Sequence, residues 1–166
     1  MAGPGCTILH PLSTDVDRIV GELVRLVAGP GPPYGDEFSV KDTRSIGGSY
    51  QGEGRPFILF TEPRDPEEIA EVERILGWAS TGDIGLAAMC NRPQDHRILA
   101  EMALWLAERL AGCVDLGGEI SYPPHLPGRA ISIPYITANG VEAHYTLLDP
   151  PALRAWLSSP EFHMIK

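Results

Sequence analysis

The sequence has few basic residues and no long apolar run. Thirteen lysines and arginines stand against 22 aspartates and glutamates among 166 residues, so the net charge is −9 with histidine neutral. Binding to nucleic acid is driven largely by cationic contacts to phosphates, so this balance argues against a nucleic-acid ligand. The same charge disfavours an anionic membrane surface, and no apolar run approaches the roughly 20 residues that span a bilayer. We therefore predict neither a nucleic-acid ligand nor a membrane.

Cysteines are also scarce. The chain has three, Cys6, Cys90 and Cys113, without a CxxC pair, and each lies in an apolar context. An odd number without paired spacing is typical of reduced core thiols and not of a disulfide framework. Residues 1–15 lack the basic leader and the long apolar segment of a signal peptide. The expected compartment is therefore the cytoplasm.

Sequence motifs for catalysis and cofactor binding are lacking as well. The five histidines form no HExxH, HxH or HxxxH pair, so we predict no metal site, since metal ions need several converging ligands. No GxSxG or SxxK motif supports a serine nucleophile. The glycine-rich residues 47–54 lack the Lys-Ser/Thr of a phosphate-binding loop and precede a strand pattern. We predict no cofactor, and the question of an enzyme stays open with a non-enzyme favoured.

The order of apolar patterns predicts the fold class. Apolar residues at helical spacing predict helices over 16–28, 65–77 and 93–111 and a short last helix that opens at Asp149. Alternating or continuous apolar runs predict strands over 6–10, 38–42, 57–60, 84–89, 113–116, 130–136 and 141–147. Hairpins mixed with crossover helices favour a single α+β domain over residues 1–166, in which helices pack on one face of a mixed, mostly antiparallel sheet.

Local signals refine this fold. Asn139-Gly140 between the last two strands is the commonest signature of a tight hairpin turn, and Pro134 favours an edge position for the first of them. Asp65 is predicted to cap the second helix. The apolar stripe of the third helix leaves Glu101 mostly outside it, and residues 47–54 are predicted to be a flexible connection.

Two groups of residues are candidates for binding. The glutamates Glu67, Glu68 and Glu71 on the second helix are explained by a solvated face, but the same face could meet a basic partner. Phe162 and Met164 belong to an apolar C-terminal ending, where chain ends normally fray unless they are tied down. That ending is predicted to dock either on this domain, which is favoured, or on another chain.

A candidate pocket comprises Cys90, His96, Asp115 and His144. Cys90 ends a predicted strand just before the helix start that carries His96, so the two are a hypothetical nucleophile and base pair. The favoured alternative is that Cys90 fills the sheet as a small apolar residue. The pocket exists only if the fold brings at least two of these side chains together.

Three segments resemble a known family. They are GLAAMCN at 85–91, DH at 95–96 with LAGCVDLGG at 110–118, and LRAWL at 153–157 with EFHM at 161–164. Together they resemble an uncharacterised bacterial family of small cytosolic proteins, a domain of unknown function, over most of the chain from Phe57 onward. The resemblance implies no catalytic residue. A helix that ends in LAG and leads into a VD strand is also similar to bacterial immunity proteins, which bind and neutralise a cognate toxin.

Three functions are compatible with these observations. The first is a small acidic protein-binding module, immunity-like or antitoxin-like, that neutralises a basic toxin or another bacterial partner. The second is an enzyme or small-ligand protein that uses the Cys, His and Asp pocket. The third is a scaffold subunit of a bacterial assembly, attached through its C-terminal ending. The net charge and the missing catalytic motifs favour the first function.

Overall fold

The computed structural model describes residues 3–11, 15–29, 36–64, 66–80 and 82–165. The strands are β1 (Gly5–Leu9), β2 (Glu37–Asp42), β3 (Gln51–Pro63), β4 (Gly82–Ala88), β5 (Cys113–Asp115), β6 (Ala130–Ile136) and β7 (Glu142–Leu148). The helices are α1 (Val16–Ala28), α2 (Pro66–Leu76), α3 (Pro93–Arg109) and α4 (Pro150–Leu157), with a short 3-10 turn at Arg44–Ile46. This order of helices and strands is the predicted one. The predicted cap Asp65 lies outside the described residues.

The strands form one antiparallel sheet. Within the described residues it has seven strands in the order β2-β3-β4-β1-β5-β7-β6, and each neighbouring pair is antiparallel. The prediction of an α+β fold with a mostly antiparallel sheet is confirmed. β6, which contains Pro134, lies at the edge as predicted, because proline lacks the amide that a central strand would use. β6 and β7 form the predicted hairpin, and Gly140 adopts a φ of 75° in its turn.

Both faces of the central strands are apolar, so both need cover. Ile8, Val114 and Leu148 belong to one buried cluster, which α1, α3 and α4 cover. Their sequence neighbours Leu9, Cys113 and Leu147 point the other way, as strand alternation requires, and form a second cluster with Val72 of α2. The prediction of helices on one face therefore holds for α1, α3 and α4 but is wrong for α2, which covers the opposite face. We call that side of the sheet the α2 face.

The strand predicted over residues 57–60 is longer in the structure, where β3 runs from Gln51 to Pro63. Residues 51–54, which belong to the predicted flexible connection, pair with β2 or extend β3. The polar sequence of this segment carries no strand signal of its own. Pairing with a neighbouring strand, and not local propensity, determines its conformation.

Glu101 of α3 is buried with only 5% of its surface exposed, so its predicted place outside the apolar stripe is wrong. Its Oε2 accepts a hydrogen bond of 2.6 Å from the Thr43 hydroxyl. Its Oε1 accepts bonds from the Ser49 amide (2.9 Å) and the Ser49 hydroxyl (2.8 Å). These three donors replace water around the carboxylate, which makes its burial tolerable. They also tie the segment before β3 to α3.

Gly48→Ala is expected to destabilise the protein by roughly 1–3 kcal/mol. A Cβ at Gly48 would lie 2.3 Å from Glu101 Oε2 and 2.4 Å from Thr43 Oγ1, so the hydrogen-bonded carboxylate would have to shift. Urea unfolding measures the loss. The matched control is Gly21→Ala, on an exposed face of α1 with open space around it, which is expected to gain up to about 1 kcal/mol from helix propensity. Equal effects of the two substitutions would contradict the network.

Candidate functional site

A cavity of about 340 Å³ lies between α2 and the α2 face of the sheet. We call it the α2 cavity; its lining residues are Arg64, Glu68, Glu71, Val72, Asp115, Gly117, Tyr135 and Tyr145. Four separate parts of the fold supply them: the end of β3, the helix α2, the end of β5 and the hairpin of β6 and β7. The cavity is therefore a product of the tertiary structure.

The periodicity of α2 and of the β6–β7 hairpin places the acidic and the aromatic side chains of the cavity. Glu68 and Glu71 are three residues apart on α2 and so share one side of the helix. Tyr145 lies opposite Ile133, and Tyr135 is two residues further along β6, so both tyrosines project from the same face of the hairpin. Their ring centroids are 5.9 Å apart, with the planes tilted by 57°.

Arg64 is held by a carboxylate beside the cavity. Its Nε donates a hydrogen bond of 2.6 Å to Asp83 Oδ1, and the two side chains are only 14% and 17% exposed. Burial disfavours the charged guanidinium, but the hydrogen bond to Asp83 and the charge of Asp83 outweigh it and raise the pKa of Arg64. The positive charge of Arg64 is thus already paired with Asp83, and three carboxylates, those of Glu68, Glu71 and Asp115, share the lining with it.

Asp115 has an unusual protonation equilibrium. Burial raises its pKa to about 6, although the Gly117 amide, which donates to Oδ1 at 2.7 Å, and the nearby charge of Arg64 both favour the ionised form. The charge of Asp83 adds to the upward shift. Asp115 is therefore mostly ionised at neutral pH and becomes protonated in mildly acidic solution. Perturbed groups of this kind in a cavity are typical of functional sites.

Tyr145 remains a neutral phenol. Burial and the charges of Asp115 and Glu71 together raise its pKa to about 12, although the charge of Arg64 opposes the shift. Its hydroxyl can therefore donate a hydrogen bond or present a ring face, but it does not act as a base at neutral pH. The carboxylates make the α2 cavity acidic, and Tyr145 contributes an aromatic wall.

The sequence model of a family of unknown function, DUF6368, matches residues 2–166. The chain belongs to this family. The match includes the first 50 or so residues, which the resemblance seen in the sequence does not cover. No curated protein and no solved structure shows significant similarity to the chain. Membership in DUF6368 assigns no activity, so the immunity-like role stays a prediction.

The structure of this DUF6368 protein does not bring the four predicted pocket residues together. Asp115 lines the α2 cavity, and Cys90, His96 and His144 do not. His144 neighbours Tyr145 on β7, so it projects from the other face of the sheet. His96 lies on α3, which covers that other face; its Nε2 is 2.9 Å from Asn91 Oδ1, and its Nδ1 accepts a hydrogen bond from the Met164 amide. Strand alternation and helix placement therefore separate Asp115 from His144 and His96, and the hypothetical pair of Cys90 and His96 stays a prediction.

Two of the three thiols, those of Cys6 and Cys113, are buried. Burial raises the pKa of Cys113 to about 12, and burial also raises the pKa of Cys6, so both stay protonated. All three cysteines are free, and Cys90 is half-buried. Cys6 and Cys113 are therefore core thiols, as the sequence predicts.

The C-terminal ending docks on its own chain. Met164 is buried in the core, with 2% of its surface exposed. Phe162 is half-buried, with its ring centroid 6.5 Å from that of Trp156. The Trp156 indole donates to the His163 carbonyl (3.0 Å), and the Gly5 amide donates to the Ile165 carbonyl (3.3 Å). Phe162 and Met164 are thus used in intramolecular packing, the favoured alternative, and do not form a free attachment site.

The predicted binding residues of α2, unlike those of the C-terminal ending, lie on the surface. Glu67, Glu68 and Glu71 are exposed, and the last two also line the α2 cavity. Sequence reasoning missed Arg64, Tyr135 and Tyr145. The hairpin signal at Asn139-Gly140 contained a clue to the tyrosines, since the register of that hairpin places both rings on one face.

Two further geometric findings concern metals and membranes. Among the residues that the structure describes, no three His, Cys, Asp or Glu side chains are grouped so as to hold a metal ion. Within the same part of the chain, no helix has the length and apolar character that a membrane span requires.

Proposed function

We propose that this protein is a small acidic binding module for a basic protein partner, and that α2 provides the contact surface. The observation that carries the proposal is the position of α2. Its exposed residues Glu67, Glu68 and Glu71 lie beside a cavity to which Asp115 adds another carboxylate. Neutralisation of the partner, as by an immunity protein or antitoxin, is the form of this function that the sequence favours.

Charge supports this surface in two ways. α2 carries four glutamates and one arginine, in a chain whose net charge is −9. A surface of one sign steers an oppositely charged partner and speeds association. The closest cation on the helix, Arg74, is 3.9 Å from Glu71, and both side chains are largely exposed. Such a pair is weak in water, so Glu71 stays available to a partner.

Aromatic surface at the same place supplies a source of affinity. Tyr135 is 42% exposed on the edge strand β6 and lines the α2 cavity together with Tyr145. Tyrosine is among the residues that most often dominate binding energy at protein interfaces, because its ring offers a large contact area and its hydroxyl a hydrogen bond. Charge would thus speed the encounter, and the tyrosines would slow dissociation.

The test is a pull-down of the tagged protein from its native cells at about 100 mM and about 500 mM salt, where screening differs strongly. Bound proteins are identified by mass spectrometry. We expect one basic partner at low salt and its loss at high salt. The triple variant Glu67→Lys, Glu68→Lys, Glu71→Lys is expected to reduce its capture by at least about tenfold.

The matched control reverses three exposed acids away from the α2 cavity, Asp17→Lys, Glu37→Lys and Glu161→Lys. It has the same net charge as the α2 variant and is expected to retain the partner. Equal losses in both variants would show that net charge alone mediates capture and would reject α2 as the surface. An empty pull-down with the wild-type protein would reject the function.

A further inference from the structure

We propose that the α2 cavity binds an organic cation, the ammonium or guanidinium group of a lysine or arginine side chain on the partner. The inference rests on the proposed function for the source of this cation. The chemistry of the cavity supports it independently, through its charge, its aromatic wall, its size and its apolar floor.

The charge of the cavity selects the sign of the ligand. Glu68, Glu71 and Asp115 line it, and Arg64, the only cation of its lining among the residues that the structure describes, is hydrogen-bonded to Asp83. An anion would meet three carboxylates, whereas a cation would meet three counterions: the exposed Glu68 and Glu71 and the partly buried Asp115. The ionic interaction is strongest at Asp115, because burial lowers the effective dielectric constant around it.

The two tyrosines select an organic cation in particular. Their rings lie 5.9 Å apart and tilted by 57°, so they form two walls of one corner. A guanidinium or ammonium group within about 6 Å of a tyrosine ring is attracted by the negative face of that ring. Arginine also stacks on aromatic faces, which a strongly hydrated inorganic ion does not.

Size and the apolar floor agree with a side-chain ligand. The cavity volume of about 340 Å³ lies at the lower end of the range of roughly 300–1,000 Å³ for small-molecule sites. Val72, buried in the second core cluster, forms part of the lining. Lysine and arginine carry an apolar stem behind their charged group, and such stems pack along apolar surface. A lysine or arginine side chain whose stem packs on Val72 and whose charged group lies at Asp115 uses both the apolar floor and the carboxylate.

This site makes binding depend on pH. Protonation of Asp115, with its pKa of about 6, removes a counterion, so affinity is expected to fall as the pH decreases through 6. The other charged or titratable groups that face Asp115 or lie near it are Arg64, Glu68, Glu71, Asp83, Cys113 and Tyr145. A bound cation should in turn lower the pKa of Asp115, since linkage is reciprocal.

Butylguanidinium is the probe, and the neutral, nearly isosteric N-butylurea is its control. Both are titrated into isotopically labelled protein up to about 50 mM, since a ligand of this size binds with a Kd near the millimolar range. We expect saturable shifts of the Gly117 amide and the Asp115 carboxyl carbon with butylguanidinium only. The Kd should increase by at least about threefold from pH 7 to about pH 5.

Two variants locate the site. Asp115→Asn keeps an oxygen acceptor for the Gly117 amide and is expected to weaken binding by about tenfold. Glu119→Gln removes the same charge from an exposed residue that does not line the cavity, and it is expected to leave the Kd unchanged. Equal binding of N-butylurea, or no saturable shift at Gly117, overturns the proposal.

The outcomes also separate this inference from the proposed function. A salt-sensitive partner that is captured through α2, without butylguanidinium binding, retains the function and rejects the cation site. Butylguanidinium binding together with an empty pull-down rejects the protein partner and assigns the cavity to a free organic amine or guanidine. Capture of a partner through α2 together with butylguanidinium binding identifies the cavity as the pocket for a basic side chain of that partner.

Discussion

Asp95→Ala is expected to destabilise the protein by about 3–5 kcal/mol, the usual effect of removing one partner from a buried ion pair. Asp95 is 1% exposed and Arg55 13% exposed in their side chains. Arg55 donates two parallel hydrogen bonds to the carboxylate, Nε to Oδ1 at 2.8 Å and Nη2 to Oδ2 at 2.7 Å. The Arg92 amide donates to the same carboxylate at 2.8 Å, at the start of α3. The substitution leaves a largely buried guanidinium unpaired and removes this helix cap.

A matched pair elsewhere in the chain provides the control. Arg44 contacts Asp42 through Nε and Nη2 in a similar two-point arrangement, but on the exposed surface. Asp42→Ala is therefore expected to change the free energy of unfolding little, because water replaces the partner. Urea unfolding of the two variants compares the loss of a buried ion pair with the loss of an exposed ion pair of nearly the same contact geometry. A loss for Asp95→Ala no larger than that for Asp42→Ala would contradict the prediction.

The buried ion pair of Arg55 and Asp95 also makes the stability of the protein depend on pH. Burial opposes ionisation of Asp95, but the hydrogen bonds from Arg55 and Arg92 outweigh it and hold its pKa below the usual value. A carboxyl whose pKa is lower in the folded state stabilises the fold above its unfolded pKa, near 4, and loses this contribution as the pH falls through the folded pKa. The wild-type protein should therefore lose more stability below about pH 4 than the Asp95→Ala variant.

Trp156→Ala is expected to cost about 3–5 kcal/mol, as for other buried tryptophans, and to lower Tm by roughly 2–4 °C per kcal/mol. Trp156 is 1% exposed, and its ring packs against Tyr122, Phe162 and His163. Its indole also holds the His163 carbonyl. The substitution therefore opens a cavity and releases the C-terminal ending from the domain.

Trp156→Phe separates packing from the hydrogen bond, since phenylalanine keeps much of the apolar area and lacks the indole donor. It should cost clearly less than Trp156→Ala. Thermal unfolding measures both, and hydrogen exchange of the Met164 amide reports whether the ending has been released. Unchanged protection of that amide in Trp156→Ala would refute the role of Trp156 in docking the ending.

The elements that the sequence predicts well are those with strong local signals. Asp149 followed by two prolines predicts the start of α4, and Asp149 Oδ1 does accept a bond of 2.8 Å from the Ala152 amide. Helical spacing in α1 and α3 and the turn glycine Gly140 also act over a few residues. β3 lacks such a signal over residues 51–56, and its pairing partners define it instead.

The candidate site also combines residues that the sequence indicates with an arrangement that only long-range pairing produces. Glu68, Glu71 and Asp115 stand out in the sequence as acidic residues near predicted elements, but nothing local indicates that they share a cavity. The α2 cavity does not include His144, which was predicted to share a pocket with Asp115, because one residue of register decides the face of a sheet on which a side chain lies. His144 is one residue from Tyr145 and lies on the opposite side.

By itself, the sequence determined the acidic charge, the order of helices and strands, the hairpin and the edge position of β6. Only the tertiary structure decided that α2 covers the opposite face of the sheet, that Glu101 is buried, and that Asp115 meets two tyrosines. The physical reason is the distance along the chain over which each kind of interaction acts. Capping, periodicity and turn chemistry act between near neighbours, whereas the convergence of side chains depends on strand pairing between residues that are far apart in the chain.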